Sequence, residues 1–168
     1  MFTKNFYKML ITDNYYPQNQ QPWQTISRVL KTDGVTQMAL NGDCYGYKNA
    51  IYNFKVLRPD VICFGDSDIA PTLDQYNIQG NQITFTNSSF TIHIAQHEDE
   101  KVEIGIVFRG TPENNSVIKE IALLKNAWQT DNETPAGQFM IYRESLEPIN
   151  VTAGEEVCFL FKIVIDWT

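Results

Sequence analysis

The sequence predicts an all-β protein, an antiparallel β-sandwich of jelly-roll or immunoglobulin-like type with an irregular N-terminal arm and at most one or two short helices. Apolar and polar side chains alternate through much of the chain after residue 37, which is the period of a half-buried strand. Turn-forming residues separate these runs at short intervals. Aromatic residues make up 12% of the chain, which favours sheet packing. A distorted barrel is the alternative architecture.

The chain of 168 residues is long enough for one domain with a hydrophobic core, and its apolar content of 43% excludes a disordered protein. Its composition changes near residue 36. We therefore expect an N-terminal arm at residues 1–36 and a β-sandwich domain at residues 37–168. The arm is rich in Gln, Asn and Tyr, and we expect it to lie across a sheet edge or to reach a neighbouring subunit.

One short helix is predicted within the arm, in the segment PWQTISRVLKTDG at residues 22–34. Pro22 suits the first turn of a helix, and Gly34 suits its end. Apolar residues at helical spacing would share one face of this helix. They are Trp23, Ile26 and Leu30.

Two runs after the arm predict a β-hairpin. Every second residue is apolar in FTIHIAQ, residues 90–96, and in VEIGIVFR, residues 102–109, and the charged segment HEDEK joins the two. The segment VIKEIALLKNAW, residues 117–128, is compatible with either a helix or a strand. FMIYRE, residues 139–144, is the next candidate strand.

The last run, VCFLFKIVIDW at residues 157–167, is the clearest strand in the sequence. Its alternate residues are apolar from one end to the other, so we expect a strand that is long, central in its sheet and at least half buried. Gly154 supplies the turn that precedes it. The residues that would share one face are Val157, Phe159, Phe161, Ile163, Ile165 and Trp167.

Charge and cysteine content limit the partners and the compartment. The chain has 13 basic and 20 acidic residues, a net charge of -7, which opposes binding to nucleic acid or to an anionic membrane. Cys44, Cys63 and Cys158 are odd in number and widely spaced, and we interpret them as buried free thiols. No apolar stretch is long enough for a signal peptide or a membrane span, so we expect assembly in a cytoplasm.

The segment VICFGDSD, residues 61–68, resembles the first block of the GDSL (SGNH) esterases, in which a strand ends in Gly-Asp-Ser and the serine attacks an ester. By that resemblance Ser67 would be the nucleophile. A serine nucleophile needs a base, which that family takes from an Asp-x-x-His motif late in the chain. The only histidines here, His93 and His97, do not follow an Asp at that spacing. We therefore interpret GDSD as a turn and Ser67 as part of its hydrogen bonding.

Two groups of polar residues could hold a metal ion. His93 and His97 would face the same way on a strand, next to the carboxylates of HEDEK, and imidazole suits zinc or copper. Asp66 and Asp68 could bind a hard cation, although the further acidic positions of a calcium loop are missing. Both groups also suit ordinary solvent-exposed turns. We assign no catalytic, cofactor-binding or metal-binding residue and expect no cofactor.

The aromatic segment NGDCYGYKNAIYNF, residues 41–54, could bind sugar, because exposed aromatic rings stack on sugar rings. The alternative is that these rings form cross-strand pairs within a sheet. The aromatic residues concerned are Tyr45, Tyr47, Tyr52 and Phe54.

Three stretches of the chain resemble structural proteins of tailed-bacteriophage virions. FGDSDIAPTLDQYNIQG, residues 64–80, joins a glycine turn to a Pro-Thr segment. VEIGIVFRG leads into IKEIALLKN, and MIYRESLEPINVTAGEEVCFLFKIVIDW, residues 140–167, joins an aliphatic-Arg-Glu strand through an Ala-Gly-Glu turn to a long alternating strand. The resemblance covers about residues 61–168. It implies a component of the capsid, collar, fibre or tail, without catalytic residues to transfer.

From these features we expect a non-enzymatic phage virion structural protein that assembles with itself or with other capsid or tail components. Its partners would be other virion proteins and copies of itself, with no nucleic acid and no membrane, and assembly would take place in the host cytoplasm. The alternative is a carbohydrate- or receptor-binding β-sandwich module of a virion, with a glycan site at residues 41–54. A hydrolase that uses Ser67 is the third hypothesis.

Overall fold

The computed structural model describes residues 1–7, 27–35, 37–40, 59–97, 101–128 and 135–166. This part of the chain contains nine strands and one helical turn at residues 4–7. The strands are β1 (Ser27–Leu30), β2 (Gln37–Leu40), β3 (Val61–Gly65), β4 (Gln82–Ile83), β5 (Phe85–His97), β6 (Lys101–Pro112), β7 (Ser116–Trp128), β8 (Pro135–Val151) and β9 (Val157–Asp166). The predicted fold class, an all-β antiparallel sandwich, is confirmed, and the described residues agree with the expectation of at most one or two short helices.

The strands form three sheets, which are the pair β1-β2, a four-stranded sheet of order β4-β3-β7-β8 and a three-stranded sheet of order β5-β6-β9. The chain divides into two compact units. The first comprises Met1–Gln82 and Lys119–Glu147, and the second comprises Ile83–Ile118 and Pro148–Thr168. The expected boundary between an arm at residues 1–36 and a domain at residues 37–168 stays a prediction. Among the described residues, no helix has the length and apolar character needed to cross a membrane.

Strand β7 lies inside the four-stranded sheet and is buried on both faces. It pairs antiparallel with β3, which places Cys63 opposite Ala122. The five successive residues 120–124 are all buried, a pattern typical of a strand that is covered on both sides. The choice between helix and strand that the sequence left open at residues 117–128 is therefore decided for a strand.

One face of this sheet carries a compact apolar cluster. Val61 and Ile78 are partly buried and pack against it, and each contributes less than the roughly 1.5 to 3 kcal/mol that full burial of such a side chain provides. The buried members are Cys63, Ala122, Leu124 and Met140. Cys63 is thus a buried free thiol, as expected. The same expectation is wrong for Cys158, which is free but exposed, and Cys44 lies outside the described residues.

The first residues of the chain lie along the edge of β8. The Thr3 backbone N–H donates to the Ile141 carbonyl at 2.9 Å, and the Arg143 N–H donates to the Met1 carbonyl at 3.0 Å. Thr3 is buried, and the rings of Phe2 and Phe6 stack with their centroids 4.1 Å apart. Residues 1–7 are therefore packed against the sheet of their own chain.

The predicted helix at residues 22–34 is wrong for the residues that are described. Strand β1 (Ser27–Leu30) pairs antiparallel with β2, and Thr32 and Asp33 form the turn between them. Gly34, predicted as the end of that helix, lies in the connection after β1 instead, with φ of 73° and an N–H that donates to the Lys31 carbonyl at 3.0 Å. The spacing of Trp23, Ile26 and Leu30 suited a helix, but Trp23 and Ile26 lie outside the described residues, and pairing with β2 holds Ser27–Leu30 as a strand.

The second unit is built on the predicted hairpin, which is confirmed. Strands β5 and β6 pair antiparallel, with Phe90 opposite Phe108 and Ile92 opposite Ile106. The alternate apolar residues of β6 face inward and are buried. They are Val102, Ile104, Ile106 and Phe108.

Strand β9 continues the same sheet on the other side of β6. The predicted alternation is confirmed from Val157 to Ile165, because residues of one parity are buried or half-buried and those of the other are exposed. The predicted central position is wrong for the described part of the chain, where β9 pairs only with β6 and ends the sheet. Strand order depends on pairing between distant segments, which a period of two does not encode. Trp167 lies outside the described residues.

Candidate functional site

Residues 66–81, here named the clasped loop, form a long connection between β3 and β4 that is fixed by a buried carboxylate. Glu120 lies opposite Gly65, the last residue of β3, in the register of β3 and β7. A Cβ atom at Gly65 would overlap the Glu120 carboxylate. Only glycine leaves room for the carboxylate at this position, which is a structural reason for the Gly of the GDSD segment.

The Glu120 carboxylate binds both a neighbouring strand and the clasped loop. Its Oε2 accepts a hydrogen bond from Arg143 Nε at 2.6 Å, and both side chains are 0% exposed. Its Oε1 accepts from the backbone N–H of Gly80 at 2.7 Å, and the N–H of Gln79 lies 3.0 to 3.1 Å from the two carboxylate oxygens. One guanidinium and two backbone donors thus compensate the buried negative charge.

Arg143 reaches the middle of the clasped loop as well. Its Nη1 donates to Gln75 Oε1 at 3.0 Å, and the same oxygen accepts from the Thr72 N–H at 2.9 Å. Nη2 is buried and has no hydrogen-bond partner within the described residues. Burial of the Glu120–Arg143 pair therefore has a desolvation cost that is not fully compensated. We infer that the pair serves to position the loop as much as to stabilise the fold.

A second set of hydrogen bonds, the Asp-Asn clasp between Asp66 and Asn81, joins the two ends of the loop. Asp66 Oδ1 accepts from the Asn81 backbone N–H at 2.7 Å, and Asp66 Oδ2 accepts from Asn81 Nδ2 at 3.0 Å. Hydrogen bonds from the side chain and the backbone of Asn81 lower the pKa of Asp66. A Cβ atom at Gly80 would overlap Asp66, so the closure needs glycine here too.

Ser67 takes part in the local turn. Its Oγ accepts a hydrogen bond from the Ile69 N–H at 3.2 Å, which is the side-chain-to-backbone pattern of a Ser/Thr turn. The interpretation of Ser67 as turn chemistry agrees with this contact. Asp68 is exposed and lies 3.9 Å from Lys119 Nζ, while Asp66 is engaged by Asn81. The two carboxylates of GDSD thus have separate partners.

Three large apolar side chains of the clasped loop are exposed, although its backbone is anchored at several points. Ser145 Oγ donates to the Ile69 carbonyl at 3.1 Å, and the Lys4 N–H donates to the Leu73 carbonyl at 2.9 Å. Asn77 Nδ2 donates to the Thr32 carbonyl at 3.2 Å. Exposed apolar groups on a rigid loop suit contact with another protein. They belong to Ile69, Leu73 and Tyr76.

The other predicted sites are only partly described. His93 is exposed on β5, while the side chain of His97 and residues 98–100 lie outside the described part. Among the residues that the structure describes, no group of three His, Cys, Asp or Glu side chains could hold a metal ion. The metal hypothesis for His93 and His97 stays a prediction. The aromatic segment at residues 41–54, with Tyr45, Tyr47, Tyr52 and Phe54, lies wholly outside the described residues, so the glycan hypothesis also stays a prediction.

Neither Glu120 nor Arg143 stands out by motif or spacing. The sequence signal that could identify them is their position, since Glu120 lies with Lys119 between apolar residues of one strand and Arg143 directly follows the apolar run of residues 139–142 in another. A charged residue in a strand that is buried on both faces needs an opposite charge nearby. Because the two residues come from different strands, their pairing follows only once the sheet order is known.

Comparison of the chain with protein-family models, with curated proteins and with solved structures finds no match.

Proposed function

We propose that this chain is a non-enzymatic structural protein of a bacteriophage virion, which assembles with copies of itself or with other capsid or tail components. The observation that carries the proposal is the clasped loop. A buried ion pair and an Asp-Asn clasp hold this loop, and it exposes Ile69, Leu73 and Tyr76. The same segment, residues 64–80, belongs to the resemblance to virion proteins.

The energetics of the loop favour a role in assembly. A loop that is already fixed loses little conformational entropy when it binds a partner. More of the free energy gained by burying its exposed apolar side chains therefore contributes to affinity. The net charge of -7 keeps unassembled copies apart and soluble. A virion component needs both properties, because it must stay soluble before assembly and then hold its contacts for a long time.

The experiment is a native mass measurement of the purified chain and of the double variant Ile69→Ser, Leu73→Ser. We expect the wild-type chain to form an oligomer of defined size, alone or with a partner from the virion, and the double variant to shift to lower mass. Val35→Ser is the matched control, because Val35 is 84% exposed but lies outside the clasped loop. We expect this control to assemble like wild type.

One result would count against the proposed function, and another would count only against the clasped loop as the contact site. A chain that stays monomeric at high concentration, and that is missing from purified particles of the phage that encodes it, would not be a virion component. If the chain assembles but the double variant and the Val35 control behave alike, the assembly role would stand and the clasped loop would not be its contact.

A further inference from the structure

The edges of the two larger sheets differ in how they are protected against an additional strand. In the four-stranded sheet, residues 1–3 line the edge of β8, and β4 is only two residues long. In the three-stranded sheet, β5 carries a register shift between Thr86 and Ser89 and a positive φ at Asn87. Short strands, covered edges and bulges all hinder edge-to-edge pairing.

Strand β9 has none of these protections in the described part of the chain. It is ten residues long and pairs with β6 through ten successive residues without a register shift. Leu160 is 75% exposed and Val164 is 52% exposed. Lys162 is the only charged residue at positions 157–165. The residues on its exposed face are Cys158, Leu160, Lys162 and Val164.

We propose that β9 pairs antiparallel with β9 of a second copy of this chain, about a two-fold axis at Phe161, so that two three-stranded sheets join into one sheet of six strands. The inference rests on the proposed function in one respect, since it takes the form of that function in which copies of the chain associate with one another. A long, regular and apolar edge is the usual template for strand addition.

Charge and strand length select the register. A two-fold axis perpendicular to the sheet keeps each residue opposite one on the same face, and the two registers with the longest overlap are centred on Phe161 and on Lys162. The register centred on Lys162 places two lysines directly opposite each other, which is destabilising. The register centred on Phe161 avoids this contact and still pairs residues 157–165 of both copies.

The selected register is complementary with itself. On the outer face, Cys158 lies opposite Val164 of the second copy, and Leu160 lies opposite Lys162 of the second copy. The Lys162 ammonium group pairs with Glu103 Oε2 of β6 at 2.6 Å within its own copy, and the lysine stem can cover the leucine of the second copy. Nine residues per strand span about 30 Å and give roughly nine backbone hydrogen bonds between copies, a number within the range of about 10 ± 5 seen in stable protein interfaces.

Crosslinking tests the pairing directly. In a Cys44→Ser background, the variant Val164→Cys places a thiol opposite Cys158 of the second copy, where Cα atoms of antiparallel neighbours are about 4.5 to 5.5 Å apart and a disulfide can form. We expect mild oxidation to give a covalent dimer whose linked peptides contain residues 158 and 164. Within one copy these residues are about 20 Å apart along the strand and cannot be bridged.

Two controls accompany the crosslinking variant. Cys158→Ser combined with Val164→Cys removes one partner, and we expect the link between residues 158 and 164 to disappear. Ser89→Cys with Cys158 retained places an exposed thiol on β5 at the far side of the same sheet, and we expect no link between residues 89 and 158.

The outcomes separate the inference from the proposed function. A covalent dimer linked only between two copies of residue 158, or two copies of residue 164, would overturn the register. An oligomer in the native mass measurement without the expected link would overturn the β9 interface and leave the assembly role intact. A monomer without the link would overturn the β9 interface, and it would overturn the assembly role as well if the chain were also missing from purified phage particles.

A charge pair gives an independent test without cysteine chemistry. Leu160→Glu places a carboxylate opposite Lys162 of the second copy, and Leu160→Lys places an ammonium group there. We expect the dimer dissociation constant of the lysine variant to exceed that of the glutamate variant by about tenfold or more. Both variants are polar at the same exposed site, so equal dissociation constants would overturn the proposed register.

Discussion

Among single residues, Glu120 has the largest predicted effect, because its carboxylate joins a buried guanidinium to the clasped loop. Replacing Glu120 by Ala leaves the Arg143 charge buried without compensation and removes the acceptor for Gln79 and Gly80. We expect Glu120→Ala to lower the free energy of unfolding by about 3 to 5 kcal/mol. Urea unfolding of wild type and variant measures this difference.

Two further variants test whether the loss of stability in Glu120→Ala comes from the buried charge. Asp68→Asn removes an exposed carboxylate from the same loop, and we expect a change of less than about 1 kcal/mol. The double variant Glu120→Leu, Arg143→Met replaces both charges with apolar groups, and we expect it to be more stable than Glu120→Ala alone. If the double variant lost as much unfolding free energy as the single variants Glu120→Leu and Arg143→Met lost together, the two side chains would not be coupled.

The cysteines give a second prediction at this scale, which depends on pH. Burial raises the pKa of Cys63 to about 11, so the unfolded chain releases this proton at a lower pH than the folded chain. The stability from burying the neutral thiol is complete below about pH 9 and is lost as pH rises through about 11. We expect the unfolding free energy of wild type to fall over this window more steeply than that of Cys63→Val.

Thiol labelling at neutral pH checks the burial itself. In a Cys44→Ser background we expect Ellman's reagent to modify exposed Cys158 at once and buried Cys63 only after unfolding. Equal labelling rates for the two thiols in the folded protein would contradict the burial of Cys63 and the pH dependence derived from it.

Among the secondary-structure elements, the turn of the β1-β2 hairpin is expected to be sensitive to a single methyl group. Gly34 has φ of 73°, and a Cβ atom there would overlap the Tyr76 ring of the clasped loop. Gly154 has φ of 80°, but its Cβ position has no atom within 4 Å. We expect Gly154→Ala to cost about 1 kcal/mol from backbone strain alone and Gly34→Ala to cost at least about 1 kcal/mol more. Urea unfolding of both variants measures the difference. Equal losses of unfolding free energy would show that the Tyr76 ring moves away from the added methyl group without a measurable cost.

The elements that the sequence predicts correctly are those whose information is local. The hairpin of β5 and β6 follows from two adjacent runs with the same period and a charged turn, so its register can be inferred without knowing the rest of the chain. The segment 22–34 is also local, but there the spacing of Trp23, Ile26 and Leu30 fits a helix better than a strand, since a strand would place Trp23 on the opposite face from the other two. Pairing with β2 nevertheless makes residues 27–30 a strand, and that partner is not visible in the helical pattern.

The positions of elements within sheets and the composition of the clasped loop depend on distant contacts. β9 has the pattern of a central strand, yet it ends the sheet in the described part of the chain. The GDSD segment is identifiable as a turn, but its glycine is required by Glu120, which lies 55 residues later in the sequence. Burial of a charge is set by which strands cover it, so the Glu120–Arg143 pair emerges only from the assembled sheet.

For the molecule as a whole, net charge and apolar contact oppose each other in self-association. A net charge of -7 repels like copies, whereas the proposed contacts at β9 and at the clasped loop are mainly apolar. Salt screens the repulsion, with a Debye length that falls from about 30 Å at 0.01 M to about 8 Å at 0.15 M. The apolar contacts do not weaken under the same change, so the balance shifts toward association.

We therefore expect the oligomeric fraction to rise as sodium chloride increases from about 0.01 to about 0.5 M, because screening removes the repulsion between acidic copies. Sedimentation velocity at a fixed protein concentration measures this fraction. Leu160→Lys is the control, since it weakens the proposed β9 contact, and its oligomeric fraction should stay below that of wild type throughout the series. An oligomer that dissociates as salt rises would instead be held by ion pairs between copies, and apolar surfaces would not explain its assembly.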